Sequence, residues 1–154
     1  MIVNWRDLLV QSIKDSGGAF DPDNQRHARA IAEQAIALAK LLSRRLTVLI
    51  GRAGTGKTSV MGALMQCEEI AREGILLLAP TGKARVKLSK ATKATAMTVA
   101  QFLYQLDRYD GVRQRPLFQG KAPHRKEKTV VIDECSMLTM DDLYAILELS
   151  LIHI

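Results

Sequence analysis

Apolar positions recur along the chain with two different spacings, and their alternation predicts an α/β fold. Between residues 4 and 15, Trp5, Leu8, Leu9 and Ile13 fall near one face of a helix. Short, continuously apolar runs predict buried strands instead. Strands that alternate with helices imply a parallel sheet with right-handed crossovers. One helix is predicted at 4–15, and a second runs from cap candidates at 21–24 to about Leu42. Further helices are predicted at 57–71, 82–90, 99–106 and 141–149. Strands are predicted at 46–50, 75–79 and 129–133.

Composition narrows the class of protein. Of the 154 residues, 47% are hydrophobic and 25% are charged, which is enough apolar surface to build a core and excludes a wholly disordered chain. The longest apolar runs are far shorter than the roughly 20 residues that cross a bilayer, so no membrane association is expected. Cys67 and Cys135 are too few for a disulfide framework and favour a cytoplasmic protein. The three scattered histidines give no zinc-binding spacing.

The positive charge is concentrated in one part of the chain. Residues 74–128 hold 12 basic and 3 acidic side chains, whereas the rest holds 10 basic and 13 acidic ones. Lys83, Lys87 and Lys90 recur at helical spacing and would share one face. Such an excess is typical of a surface that binds a polyanion, although a solvated basic surface gives the same pattern. Residues 109–128 are predicted to be an irregular basic loop, with contact to nucleic acid as the alternative.

A glycine-rich turn between a predicted strand and a predicted helix matches the phosphate-binding P-loop pattern. Glycines let the backbone curl so that several amides point at one anion, and the helix N-terminus adds its dipole. The lysine of the pattern reaches the outer phosphates and the following hydroxyl binds the accompanying Mg²⁺. The residues predicted to bind the nucleotide here are Gly51, Arg52, Ala53, Gly54, Thr55, Gly56, Lys57 and Thr58.

Two carboxylates, Asp133 and Glu134, follow the apolar run at 129–132. In a P-loop fold this strand is expected beside the first one, which would bring Asp133 near Thr58 as a second ligand of Mg²⁺. Glu134 would then act as the general base for a water that attacks the γ-phosphate. Together with Lys57, these carboxylates are the predicted catalytic residues, and they indicate hydrolysis of a nucleotide.

Four segments in this order resemble the first motor domain of superfamily 1 DNA helicases, nearest to the RecD-like group. They are Gly51–Thr58 as Walker A, Ala-Pro-Thr-Gly-Lys-Ala-Arg at 79–85 as motif Ia, Ala-Met-Thr-Val-Ala-Gln-Phe-Leu at 96–103 as the next motif, and Asp-Glu-Cys-Ser-Met at 133–137 as Walker B. The resemblance covers about residues 34–147. It implies a RecA-like P-loop NTPase fold, a three-layer sandwich with a parallel sheet, truncated and preceded by short N-terminal helices.

The resemblance also implies a function and further site residues. ATP hydrolysis with Mg²⁺ would drive movement along single-stranded DNA, 5′ to 3′. Repair or recombination proteins are the expected partners, while the sequence leaves the pathway open among repair, recombination, conjugation and phage replication. A family glutamine that reads adenine matches Gln34, with Gln25 as the competitor. Ala100 replaces the family histidine, so a DNA contact by that side chain is absent. The residues that inherit contacts with DNA are Pro80, Thr81, Gly82, Lys83 and Thr98.

The domain prediction has three parts: an N-terminal helical segment at 1–22, a partial P-loop ATPase domain at 23–148, and a tail at 149–154. The tail resembles a translated sequencing read-through, which points to a truncated chain. The helicases that it resembles need two motor domains, so this fragment is expected not to unwind DNA by itself. Cys135 is expected to pack on the sheet behind the two carboxylates. The alternative functions are another P-loop ATPase, such as an AAA-type or packaging motor, and a non-catalytic nucleic-acid-binding module. The sequence leaves the oligomeric state open.

Overall fold

A computed structural model of the chain describes residues 3–52, 54–118 and 126–151. The chain forms two compact units, Met1–Arg72 and Glu73–Ile154. Among the described helices, none is both long enough and apolar enough to cross a membrane. The first unit is helical and the second contains the sheet, so the fold is of the predicted α/β class.

The described residues of the first unit form four helices, the last of which ends at the first residue of the second unit. They are α1 (Trp5–Asp15), α2 (Gln25–Leu42), α3 (Lys57–Gln66) and α4 (Glu68–Glu73). The side chains of Asn4 and Asn24 cap α1 and α2 by accepting bonds from backbone amides. A cap within 21–24 was predicted, whereas residue 4 was expected inside the first helix. Residues 1–22, predicted as a separate segment, contribute Leu9 to the same core as Leu38 and Ala63, which are all buried.

The predicted helix at 57–71 is interrupted. Cys67 has extended backbone angles, and it separates α3 from α4. Its side chain is buried and its amide donates to the carbonyl of Leu64, which closes the end of α3. Ile70 is also buried after this break. The apolar periodicity at 57–71 therefore spans two short helices.

The strand predicted at 46–50 is wrong in this structure. Residues 47–50 have no regular secondary structure, and they belong to no sheet within the described residues. Leu46, Val48 and Ile50 are 62%, 66% and 89% exposed. Apolar, β-branched residues express a local preference for extended backbone, whereas a strand also requires a hydrogen-bonded neighbour.

The second unit is built on a parallel sheet with flanking helices. Its elements are β1 (Ile75–Ala79), α5 (Gly82–Thr92), β2 (Ala96–Thr98), α6 (Val99–Tyr104), β3 (Tyr109–Asp110), β4 (Arg115–Pro116), β5 (Thr129–Ile132), a 3₁₀ turn (Cys135–Met137) and α7 (Met140–Leu151). The strand order is β2-β1-β5, and both pairings are parallel. β3 and β4 form a small antiparallel hairpin within the part predicted to be irregular.

Both faces of β1 are buried. Leu76 and Leu78 belong to one core with Phe102, Ile146 and other residues of α6 and α7. Leu77 alternates to the opposite face and is buried as well, and α5 packs against β1 and β2. Helices on a buried parallel sheet are what right-handed crossovers produce. Leu149, the first residue of the predicted tail, lies in this core, and α7 continues to Leu151.

Candidate functional site

The glycine-rich loop turns sharply into α3. Gly54 and Gly56 both have φ of +80°, a left-handed conformation that glycine adopts without the cost borne by other residues. Gly56 is the N-cap of α3 and has no side chain that could occupy the first amides of the helix. These amides are therefore oriented toward the loop, which is the arrangement that binds anions at helix N-termini.

Lys57, the first residue of α3, closes the loop by hydrogen bonding. Its Nζ donates to the carbonyl oxygens of Gly51 at 2.5 Å and Arg52 at 2.9 Å. The Thr55 hydroxyl donates to the same Arg52 carbonyl at 2.8 Å. The side chain of the predicted phosphate-binding lysine therefore folds back into the loop. The Thr58 side chain is exposed one residue further on, whereas Ala53 lies outside the described residues.

Gln34 on α2 contacts the same loop. Its Nε2 donates to the carbonyl of Thr55 at 3.1 Å, and a Cβ built at Gly56 would collide with that same nitrogen. Its Oε1 is buried and lacks a hydrogen-bond partner among the described residues. The sequence did not indicate this contact with the loop backbone. Adenine recognition by Gln34 stays a prediction, and so does the alternative role of Gln25, which is exposed at the start of α2.

The two predicted catalytic carboxylates lie immediately after β5. The amide of Asp133 donates to the carbonyl of Leu78 at 3.0 Å and so continues the pairing of β5 with β1. The amide of Glu134 donates to Oδ1 of Asp133 at 3.0 Å. Glu134 has a φ of +54°, and its carbonyl accepts a bond from the amide of Met137 at 3.0 Å. The turn therefore fixes the backbone of Glu134.

Cys135 is exposed, so the prediction that it packs on the sheet is wrong. The chain leaves the strand at Glu134 and enters a 3₁₀ turn at Cys135. This change of direction moves the side chain away from the position that a continued strand would have given it.

The sheet brings the predicted DNA-contacting residues to the same edge as these carboxylates. Ala79 is in register with Thr98, and Leu78 is in register with Ile132. The carboxyl ends of all three strands therefore align, which places Pro80, Thr98 and Asp133 along one edge. Ligands of open parallel sheets bind at this edge as a rule.

Threonine side chains shape the helix starts at this edge. The Thr81 hydroxyl accepts a bond from the amide of Ala84 at 3.2 Å and caps α5. Thr98 caps α6 in a capping box with Gln101, whose side chain accepts from the amide of Thr98. Both predicted DNA contacts thus have a structural role, and Gly82 is the first residue of α5.

Helix α5 carries the predicted lysine face. Lys83, Lys87 and Lys90 are exposed, whereas Ala84 and Leu88 are buried. Lys87 Nζ lies 3.6 Å from Oε1 of Glu134. This ion pair was not predicted from the sequence, because its members are far apart in the chain and the β1–β5 pairing brings α5 beside the turn after β5.

Some of the basic charge in this unit is already paired. The side chain of Arg108 is only 3% exposed, and it donates a hydrogen bond of 3.1 Å to Glu148. Lys128 pairs with Glu73 at 2.9 Å. The positive surface without an ion pair is accordingly smaller than the residue count suggests, and within the described residues Lys83 and Lys90 of α5 belong to it.

Comparison with known proteins identifies the family. The AAA domain family matches residues 29–150. The RecBCD enzyme subunit RecD of Mycolicibacterium smegmatis is 30% identical, with 92% of this chain and 29% of the relative covered. The ATP-dependent RecD2 DNA helicase of Deinococcus radiodurans is 38% identical, with 64% and 14% covered. An uncharacterized protein of Methanocaldococcus jannaschii is 30% identical, with 79% and 11% covered.

The chain spans less than a third of the length of each of these relatives. The match nevertheless includes the phosphate loop, the segment after β1 and the carboxylate pair after β5. The described strands and helices agree with a P-loop α/β fold. The chain therefore belongs to the AAA domain family, and within it resembles the RecD-like superfamily 1 helicases.

Proposed function

We propose that the chain is the ATP-binding motor segment of a RecD-like DNA helicase, which couples ATP hydrolysis to movement on single-stranded DNA. The observation that carries this proposal is the glycine loop that leads into α3, with Lys57 Nζ bonded inside it. An ammonium beside the first amides of a helix is suited to a polyphosphate. In this proposal the whole loop from Gly51 to Thr58 contacts the nucleotide.

The proposed Mg²⁺ ligands are Thr58 and Asp133. Hydroxyl and carboxylate oxygens are ligands that this cation prefers, and Oδ1 of Asp133 already accepts the amide of Glu134, which orients the carboxylate. Within the described residues there is no group of three or more acidic, histidine or cysteine side chains placed so that they could hold a metal ion. Mg²⁺ held by one or two side chains and by substrate phosphates does not require one. When bound, it would neutralise charge on the phosphates.

The proposed role of Glu134 is to accept a proton from the attacking water. Phosphoryl transfer depends mainly on positioning and on electrostatic stabilisation, so Lys57 would stabilise charge on the outer phosphates while Glu134 orients the nucleophile. The exposed position of Glu134 leaves room for this water. Gln34 is proposed to support the loop from α2, in addition to any contact with adenine.

Single-stranded DNA is proposed to bind along the edge that carries Pro80, Thr81, Gly82 and Thr98, next to the lysines of α5. The alignment of strand ends supports this proposal, and so does the exposure of Lys83. The helicase and RecBCD names of the relatives make repair or recombination proteins the proposed partners. Movement from 5′ to 3′ is carried only by the RecD-like resemblance.

The test is binding of fluorescein-labelled (dT)16 by the wild-type chain and by Lys57→Ala, with and without Mg²⁺-ATP. Coupled sites change each other's affinity, so Mg²⁺-ATP should shift the affinity for DNA in the wild type and not in Lys57→Ala. Lys40→Ala, which removes an exposed lysine from α2, is the matched control and should behave as wild type.

Two outcomes would contradict the proposal in different ways. DNA binding that is the same with and without Mg²⁺-ATP, and in both proteins, would indicate a non-catalytic nucleic-acid-binding module. Nucleotide binding without affinity for the oligonucleotide would indicate another kind of P-loop ATPase.

A further inference from the structure

The ion pair between Lys87 and Glu134 links the proposed site of ATP hydrolysis to the proposed DNA-binding surface. Glu134 is the proposed base for hydrolysis, and Lys87 lies on the lysine face of α5, one turn after Lys83. Nζ of Lys87 and Oε1 of Glu134 are 3.6 Å apart, with the side chains 72% and 39% exposed. A pair with this exposure is weak and is in contact with solvent, so another ion can displace either member.

The backbone on each side of the pair is fixed. The amide of Glu134 is bonded to Asp133, and its carbonyl is bonded to Met137. On α5, Ala84 and Leu88 are buried, so the helix cannot rotate without exposing them. With the backbone held on both sides, the pair depends on the two side chains, and the carboxylate of Glu134 is free to turn elsewhere when the pair breaks.

We propose that Lys87 is a positioning residue that holds Glu134 toward α5 until a phosphate of single-stranded nucleic acid takes its place. The inference rests on the proposed function and specifies the regulation of that same site. A backbone phosphate that binds the lysine face competes with the carboxylate for the same ammonium. Glu134 is then released to accept a proton from water, so ATP hydrolysis depends on DNA being bound at the lysine face.

Competition for one ammonium has a consequence that does not require hydrolysis. Because Glu134 occupies Lys87 in the free protein, removing the charge of Glu134 makes Lys87 available to DNA. The variant Glu134→Gln should therefore bind single-stranded DNA more tightly, and the gain should depend on Lys87. Lys90 is the natural comparison, since it is exposed on the same helix and has no ion pair among the described residues.

The experiment is a double-mutant cycle on the whole 154-residue chain without nucleotide, read by fluorescence anisotropy of labelled (dT)16 over a range of salt concentrations. Glu134→Gln should raise the affinity about twofold to fivefold, as expected for release of an exposed ion pair. The slope of log affinity against log salt should steepen by about 0.7, because one more lysine then contacts a phosphate of a single strand.

The inference is decided by introducing Glu134→Gln into two lysine variants. In Lys87→Gln the gain from Glu134→Gln should vanish, whereas in Lys90→Gln it should persist. An equal gain in the Lys87→Gln background would show a general effect of charge and would overturn the inference, while the proposed function would stand. No gain from Glu134→Gln in the wild-type background would overturn it as well. If no variant binds the oligonucleotide, both the inference and the proposed function fail.

Discussion

The side-chain amide of Gln34 donates a hydrogen bond of 3.1 Å to the backbone carbonyl of Thr55. This bond connects the middle of α2 to the loop that precedes α3. It joins residues 21 positions apart, so a substitution on α2 is expected to change the conformation of the phosphate loop without touching its sequence.

Gln34→Ala is predicted to weaken the binding of both ATP and GTP, by about 0.5–1.5 kcal/mol, because the lost bond supports the loop that both nucleotides would contact. Fluorescent nucleotide titration measures both affinities, and Gln25→Ala serves as the control on the same helix. If Gln34→Ala weakened only the adenine nucleotide, recognition of the base would be its main role.

Gly56→Ala is predicted to lower the free energy of unfolding by about 1–3 kcal/mol, since the new Cβ would adopt a left-handed conformation and also collide with Gln34. Gly54→Ala has the same φ but open space around the Cβ, so its cost should be about 1 kcal/mol. Urea denaturation of both variants separates the contribution of backbone conformation from that of the collision. Equal destabilisation of the two variants would show that Gln34 moves aside without cost.

The two cysteines are predicted to differ in reactivity. Cys135 is exposed, whereas Cys67 is buried, and this burial raises the pKa of the Cys67 thiol. A thiol reacts as its thiolate, so near neutral pH a disulfide reagent should modify one cysteine rapidly in the native protein and the second only after denaturation. Cys135→Ser should remove the rapid phase. Persistence of that phase in Cys135→Ser would contradict the burial of Cys67.

Leu78→Ala is predicted to destabilise the chain by about 2–5 kcal/mol, because this residue of the central strand is fully buried against α6 and α7. Val112→Ala is the matched control, since Val112 is almost fully exposed in the β3–β4 hairpin and its loss should change stability by less than about 0.5 kcal/mol. Thermal or urea unfolding followed by circular dichroism gives both values. Similar stability of the two variants would contradict the described core.

Features that depend on neighbouring residues were the most predictable. The asparagine cap of α2, the central strand β1 and the helix start at Lys57 follow from local spacing and from turn residues. The carboxylate pair at the end of β5 was predicted as well. The AAA domain match covers this pair and the phosphate loop.

Features that depend on contacts between distant residues were missed. The apolar run at 46–50 has the composition of a strand, yet strand formation is decided by a neighbour that the run itself does not specify. The strand Ala96–Thr98 has only three residues, too few for a periodic pattern, and is defined by its pairing with β1. The Lys87–Glu134 pair depends in the same way on the sheet register.

The central claim is that the loop at 51–58 binds the phosphates of ATP through Lys57, and equilibrium titration of the wild-type and Lys57→Ala chains with a fluorescent ATP analogue and Mg²⁺ tests it most directly. Loss of a charge-assisted contact worth about 1.5–3 kcal/mol predicts an affinity at least tenfold lower in Lys57→Ala. The control Lys40→Ala should bind as wild type. Equal affinity of the wild-type and Lys57→Ala chains would contradict the account.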